Sequence, residues 1–176
     1  MANKQIQAGF TMMELLVVVA IAGVLASLAA PAFTGFINSA KQSSITSQVY
    51  SDLNRARGEA IKRNSRVLFC KQDATGIGCI NGTQYHTSGW LVCYDTDNDD
   101  VCDTSTAAAP NPIVLHAPPG NMTMVLTRAD GTTTPIRFNP NGTQGTTAAT
   151  LTIIGSWSGS TAQTVNIAAT GNIYKH

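Results

Sequence analysis

The hydrophobic positions fall into three regimes. From Leu15 to Ile37 the chain carries no charged side chain and is apolar on every side, broken only by small or weakly polar residues. Such a run is long enough, as a helix, to cross a hydrocarbon core of about 30 Å. From Ile45 the pattern narrows to a stripe: Ile45, Val49, Leu53, Ala56 and Ala60 recur every three or four positions, with Lys, Gln, Ser and Arg between them. That spacing predicts an amphipathic helix able to cover a sheet. The two regimes join without a break, so one helix is expected over residues 10–64, roughly 80 Å long at about 1.5 Å per residue. After Ser65 the period shortens. Runs rich in Val, Ile, Leu or Thr at 66–71, 90–95, 112–116, 122–127, 135–139, 151–154 and 164–168 are bounded by Asn81-Gly82, Pro118-Pro119-Gly120, Asp130-Gly131, Asn141-Gly142 and Thr170-Gly171. These read as strands separated by turns. With no second long helix, the strands are expected to be antiparallel. The predicted class is α+β: a long N-terminal helix, its first half transmembrane at about 13–37 and its second half amphipathic, packed on a small antiparallel β-sheet domain over 65–176. Residues 104–111, rich in Thr, Ala and Pro, are expected to form a surface loop.

One charge sits at the edge of the apolar run. Residues 1–9 form a short leader with Lys4 and a closing glycine, Gly9, and Glu14 follows within the first helical turn. A cleaved secretory signal also starts with a basic patch and an apolar stretch. A carboxylate at Glu14 would weaken such a signal, and a cut at the far end would sever a continuous helix. A plain anchor leaves Glu14 without a purpose. A carboxylate near a membrane is retained where it meets a cation. Cleavage between Gly9 and Phe10 would supply one, the new α-amino group of Phe10. Within a chain Glu14 favours the positive end of the helix dipole; between chains it can pair with a neighbour's amine and set the axial stagger of packed helices.

Gly9, Phe10, Thr11 and Glu14 ahead of an apolar helix resemble the class III signal of type IV pilins and pseudopilins. The resemblance implies that a prepilin peptidase cuts after Gly9 and N-methylates Phe10, and that Glu14 forms the assembly salt bridge. Pro31 falls where that family bends its helix, and a proline there removes an internal hydrogen bond and should kink it. The implied partners are other minor and major pilins or pseudopilins, the prepilin peptidase, the inner-membrane assembly platform and, before assembly, the lipid bilayer. The implied location is the bacterial inner membrane, single-pass with the C-terminal domain in the periplasm, and then the pilus or pseudopilus.

Composition narrows the globular part. The net charge is +1 and charged residues make up 12 % of the chain, so bulk electrostatics favour neither nucleic acid nor an acidic partner. Cys70, Cys79, Cys93 and Cys102 are an even set behind an export signal, which suggests two disulfides. Local bridges, Cys70 with Cys79 and Cys93 with Cys102, would each staple a polar loop after a strand; a cross-strand Cys70–Cys93 bridge is the main competitor. Closing a loop of this size contributes about 2–3 kcal/mol. No Cys-x-x-Cys pair is present, which argues against zinc and thioredoxin-like chemistry. Asp95, Asp97 and Asp99 alternate within an acidic stretch that continues through Asp100 to Asp103, a spacing that can converge on calcium. Asp100 and Thr106, however, stand where a calcium loop of the EF-hand kind needs glycine and glutamate, so a solvated acidic turn is the favoured reading and no cofactor is required. Gly89-Trp90-Leu91-Val92 followed by this turn resembles the GspH/FimT/FimU branch of the pilin superfamily.

Arg55, Arg57, Lys62, Arg63 and Arg66 cluster where the helix ends, suiting the negative end of its dipole. Arg63 and Arg66 are the candidate contacts to a phosphate backbone, but no aromatic residues interleave with these cations as a single-strand platform would need. DNA-binding members of the branch carry arginines after a glycine near the C-terminus. Here that region reads Gly171-Asn172-Ile173-Tyr174-Lys175-His176, so DNA is not favoured. The three Asn-x-Thr triplets at Asn81, Asn121 and Asn141 read as turns. His86, His116 and His176 share no ligand spacing, and no catalytic motif appears, so no enzyme is expected. The resemblance implies a minor type IV pilin, closest to the FimU-like kind, that assists initiation of pilus assembly near the tip. A type II secretion pseudopilin and a DNA-binding minor pilin of natural transformation remain as alternatives.

Overall fold

A computed structural model of the chain describes residues 10–103, 110–145 and 147–176, without the side chains of residues 28–32. The leader with Gly9, and most of the loop expected at 104–111, lie outside the described residues, as does the side chain of Pro31. The chain divides into two compact units, Met1–Asn38 and Ser39–His176.

One helix, α1, runs over Met12–Arg63. Its end follows from the local sequence. Asn64 adopts a left-handed conformation with φ of 49°, a turn that asparagine tolerates better than most residues. The Ser65 N–H then donates to the Ala60 carbonyl at 3.2 Å, and the Asn64 N–H to the Ile61 carbonyl at 3.4 Å. These two bonds close the last turn as a Schellman motif, with Lys62 and Arg63 in that turn facing the negative end of the dipole.

Among the described residues nine strands follow: β1 (Val67–Gln72), β2 (Cys79–Ile80), β3 (Trp90–Tyr94), β4 (Val114–His116), β5 (Met122–Arg128), β6 (Ile136–Phe138), β7 (Ala149–Gly155), β8 (Gln163–Ile167) and β9 (Ile173–Lys175). The fold is α+β with antiparallel pairing throughout, and the strands form two sheets. The first has the order β2-β1-β3-β4, with β6 also paired to β1. The second has the order β5-β7-β8-β9. The short β2 and β9 are additions to the strands expected from periodicity, being two and three residues long. The segment between β2 and β3 is tied to β5 of the second sheet: the Tyr85 N–H donates to the Met124 carbonyl at 2.9 Å and the Leu126 N–H to the Thr83 carbonyl at 2.8 Å.

Both sheets close on the second part of α1. Val49, Leu53, Ala56 and Ala60 have no exposed surface and share one core with Phe69, Trp90, Val92, Leu126, Phe138 and Leu151. The second sheet shows the alternation of a half-buried surface: β5 and β7 bury every other residue. The first sheet does not. Every residue of β3 is buried, and β1 is buried at five of its six positions. Val67, Phe69, Trp90, Val92 and Tyr94 face the helix, while Leu68, Cys70, Leu91 and Cys93 form a separate cluster on the opposite face.

Polar groups fix how the helix lies on the sheets. The Gln42 amide, almost fully buried, donates to the carbonyls of Ile153 at 2.9 Å and Thr161 at 2.8 Å. Farther along, Arg57 Nε donates to the Gly142 carbonyl at 2.9 Å. That same carbonyl oxygen would lie 1.9 Å from a Cβ placed on Gly171, whose φ is +83°. Only glycine fits there, because a side chain would both clash and strain the backbone.

Tyr85 is fully buried, with its ring centroid 5.6 Å from that of Phe69. Among the described residues its hydroxyl has no hydrogen-bond partner. Burial without a partner holds its acidity well below that of a free phenol and costs stability. Tyr85→Phe is therefore expected to raise stability by about 1 kcal/mol, read as a higher urea midpoint with an unchanged slope. A lower midpoint would mean that the hydroxyl has a partner in solution.

Candidate functional site

The first site lies at the start of α1. Thr11 precedes the helix, and its Oγ1 accepts a hydrogen bond from the Glu14 N–H at 3.2 Å. Its carbonyl accepts from the Leu15 N–H at 3.2 Å. Thr11 thus caps the helix, and Glu14 takes the third helical position, where a carboxylate faces unsatisfied backbone N–H groups. Threonine with glutamate three residues on is the capping-box pattern, so this role was legible in the sequence although the motif was read there for processing and assembly. The Glu14 side chain is exposed and has no ion-pair partner among the described residues.

The helix surface around it is apolar in every direction. Leu15, Leu16, Val17, Val18 and Val19 are consecutive, and each exposes between 50 % and 64 % of its surface. Five consecutive residues at 100° steps cover the whole circumference of a helix. Phe10, Met12, Met13, Ile21, Val24 and Leu25 are exposed as well. An element apolar all round belongs in lipid or inside an assembly. Among the described residues no helix is long and apolar enough to cross a membrane. The span expected at about 13–37 includes residues 28–32, whose side chains are not described.

The second site is the outer face of the first sheet. Cys70 is bonded to Cys79, and Cys93 to Cys102. Cys70 pairs with Leu91 and Cys93 with Leu68 across the β1–β3 ladder, so Cys70 and Cys93 share one face as diagonal neighbours. The four sulfur atoms all lie within 4.8 Å of one another. Together with Leu68 and Leu91 they form the sheet face opposite α1, which no helix covers among the described residues.

The acidic turn follows the second cystine strand. Asp95 is fully buried. One of its carboxylate oxygens accepts from the Asp99 N–H at 3.1 Å. The other accepts from Arg66 Nε at 2.7 Å, from a second Arg66 nitrogen, and from the Asp100 N–H at 3.2 Å. Asp100 then bridges two guanidinium groups, those of Arg66 at 3.0 Å and of Arg137 at 2.6 Å. Burial pushes the Asp95 carboxyl up, against the pull of Arg66. The Arg137 hydrogen bonds hold the Asp100 carboxyl below the ordinary carboxylate range. Asp95, Asp97 and Asp99 bring carboxylate oxygens within 4.8 Å of one another. Asp95, however, is already engaged on both oxygens, and Arg66 supplies its countercharge. The arrangement does the work of a tether from the end of α1 to the turn. Arg137 was missed in the sequence, since an arginine on a strand gives no sign of its distant partner.

This also decides what the candidate phosphate contacts do. Arg66 is spent on Asp95 and Asp100, with 13 % of its side chain exposed. Arg63 lies over the Tyr94 ring at 5.0 Å and donates to Glu59 at 3.3 Å. Glu59 also accepts from the Tyr94 hydroxyl at 2.8 Å. Burial and that hydrogen bond push Tyr94 up to about 12, and the same bond pulls Glu59 down.

A buried acid–histidine pair was missed as well. Asp52 accepts from Trp90 Nε1 at 3.0 Å, and His116 Nε2 lies 3.1 Å from the same oxygen. Burial pushes the Asp52 carboxyl up. The adjoining cleft of about 230 Å³ is lined by Lys41, Ile45, Gln48, Trp90, Pro118 and Pro119 among others, none offering a hydroxyl or thiol nucleophile. The pair anchors Trp90 and β4 to the helix.

Residues 46–171 match the family described as type II transport protein GspH, and residues 4–30 match the prokaryotic N-terminal methylation motif. No curated protein sequence gives a significant match. Among solved structures, the type IV minor pilin FimU of Pseudomonas aeruginosa (strain PAO1) is similar in two crystal forms. In space group P21 the TM-score is 0.49 at 14 % identity, covering 80 % of this chain and 92 % of that one. In space group P65 the TM-score is 0.46 at 14 % identity, covering 76 % and 91 %.

Two outcomes test the acidic turn. Asp95→Ala leaves Arg66 partly buried without its main countercharge and should cost about 3–5 kcal/mol, whereas the double replacement Asp95→Leu, Arg66→Met should recover most of that loss; urea unfolding measures both. The second outcome concerns pH. Because the folded state holds Asp100 below its unfolded value, it binds fewer protons there than the unfolded chain does. That stability is present above about pH 4 and is lost as pH falls through the lowered folded value. Asp100→Asn should therefore flatten the fall in stability below pH 4 relative to the parent chain, as read from unfolding midpoints at stepped pH.

Proposed function

Since the chain belongs to the GspH family and carries the N-terminal methylation motif, we propose that it is a minor type IV pilin, a structural subunit that assists initiation of pilus assembly and sits near the pilus tip. The observation that carries this reading is the start of α1: a helix apolar around its whole circumference, with Glu14 as its only charge before Lys41. Such a surface needs lipid before assembly and neighbouring helices after it. In this reading a prepilin peptidase cuts between Gly9 and Phe10 and methylates Phe10. The segment at about 13–37 holds the subunit in the inner membrane, and residues 65–176 lie in the periplasm. Pro31 supplies the bend that fits the helix to its neighbours.

Glu14 then has two duties that do not compete. Its position in the first turn favours the helix dipole in the monomer, and its carboxylate is exposed and ready for the amine of an adjoining subunit. Where water is excluded, in lipid or among packed helices, that pairing matters most, because each charge offsets the other's cost of desolvation. Partners would be other pilins or pseudopilins and the assembly platform.

The match over residues 46–171 to a type II transport protein favours one second reading, a secretion pseudopilin with the same processing and packing. The two are separated by where the mature subunit is found, in sheared pili or only with the secretion apparatus. DNA binding is disfavoured by the commitment of Arg66 to Asp95 and Asp100.

The test is made on the mature subunit. Mass spectrometry should find an N-methylated Phe10 as its first residue. Glu14→Ala should leave processing and membrane insertion intact but reduce recovery in sheared filaments by tenfold or more, roughly the effect of losing a desolvated charge pair worth about 1.4 kcal/mol or more. An intact Met1, or undiminished incorporation of the alanine variant, would overturn the proposal.

A further inference from the structure

Cys70, Cys79 and Cys93 lie on β1, β2 and β3, and Cys102 on the loop after β3, yet their sulfur atoms gather within 4.8 Å of one another. Two disulfides need only the short distance inside each pair; nothing in bridge formation requires the pairs to meet. From this convergence we propose that the reduced chain holds a single zinc-class ion on all four thiolates, so that the cystine cluster is also a redox-dependent metal site.

The geometry suits a tetrahedral tetrathiolate. With metal–sulfur bonds of about 2.3 Å, the sulfurs of such a site stand about 3.8 Å apart. That falls within the 4.8 Å that bounds the four sulfur atoms here. Small side-chain rotations convert one arrangement into the other while β1 and β3 stay paired. Cys70 and Cys93 are fixed on the β1–β3 ladder, Cys79 on the short β2 opposite Gln72, and Cys102 approaches from its loop. Leu68 and Leu91 supply an apolar surround, which shields the thiolates from water, and the half-buried Cys102 marks the side of entry. Four soft thiolates in a tetrahedron select zinc over the hard cations that the neighbouring aspartates would take.

The chemistry balances without an added reductant in a newly made chain, whose cysteines are still thiols. Each thiol loses its proton as its sulfur donates an electron pair to the ion, so one ion bound releases four protons. Forming the two bridges instead removes four electrons and the same four protons, passed to a disulfide-donating oxidant, and frees the ion. Metal binding would thus close both loops before oxidation and keep the cysteines from pairing across the strands as Cys70 with Cys93. The sequence spacing gives no hint of this, because the ligands are not in Cys-x-x-Cys pairs; the β1–β3 register brings them together.

The test uses the full chain in detergent, reduced with a phosphine and freed of metal. Cobalt(II) serves as the optical probe, with zinc as competitor. One cobalt per chain should bind with the visible absorption of a tetrahedral site and the charge-transfer band of four thiolates, and zinc should displace it. Zinc should also slow alkylation of all four cysteines roughly tenfold or more at saturating metal, and the oxidised chain should show neither effect. Cys102→Ser and Cys79→Ser should each weaken the charge-transfer band by one thiolate. If reduction loosens the domain, zinc should restore its near-ultraviolet dichroism. An octahedral cobalt spectrum, binding through two thiolates only, alkylation unaffected by zinc, or failure of zinc to restore the reduced domain would each overturn the proposal.

Discussion

The globular unit depends on one apolar stripe. Val49, Leu53, Ala56 and Ala60 have no exposed surface, and residues from both sheets meet on them. The two alanines are as fully buried as the larger side chains. The stripe alone would leave the helix free to slide along its length. Specific polar contacts remove that freedom: Gln42 at one end on the carbonyls of Ile153 and Thr161, Arg57 farther along on Gly142, and the Asp52 carboxylate between Trp90 and His116. Buried polar groups that reach backbone carbonyls act as register pins, since any shift leaves them unpaired at a cost of about 1–3 kcal/mol each.

The first sheet has a different difficulty. The helix can cover only one of its faces, yet β1 and β3 are apolar on both. Leu68 and Leu91 would face water if nothing else intervened. The two cystines and their loops cover them instead, giving the sheet a thin second layer made of sulfur and short polar turns. The acidic turn that emerges from Cys93–Cys102 is then folded back by Arg66 and Arg137 on Asp95 and Asp100. Stapling and ion pairing thus serve one purpose, to hold a polar loop over an apolar sheet in a domain with few charges to spare.

The start of α1 obeys another rule. There the side chains that would be core residues elsewhere are exposed on every side, and Thr11 caps the backbone so that the helix can begin without a neighbour. An element apolar on every side belongs in lipid or inside an assembly. It accords with membership of a family of pilin-like proteins and with the match of residues 4–30 to a methylation motif.

The sequence by itself determined whatever follows from local pattern. The helix and its change from apolar to amphipathic, the antiparallel class, the turn at Asn64 and the Thr11–Glu14 start are all consequences of spacing and of side chains acting within a few residues of themselves. The pairing of strands into two sheets was decided only by the tertiary structure, since β2 and β9 are too short to show a period and are made by the edges they meet. The same holds for Arg66 and Asp95, separated by twenty-nine residues, which from sequence looked like a phosphate contact and a calcium ligand and in the fold neutralise each other. Local propensity acts along the chain, whereas charge pairing, burial and the meeting of four sulfurs depend on distances that exist only once the chain has closed on itself.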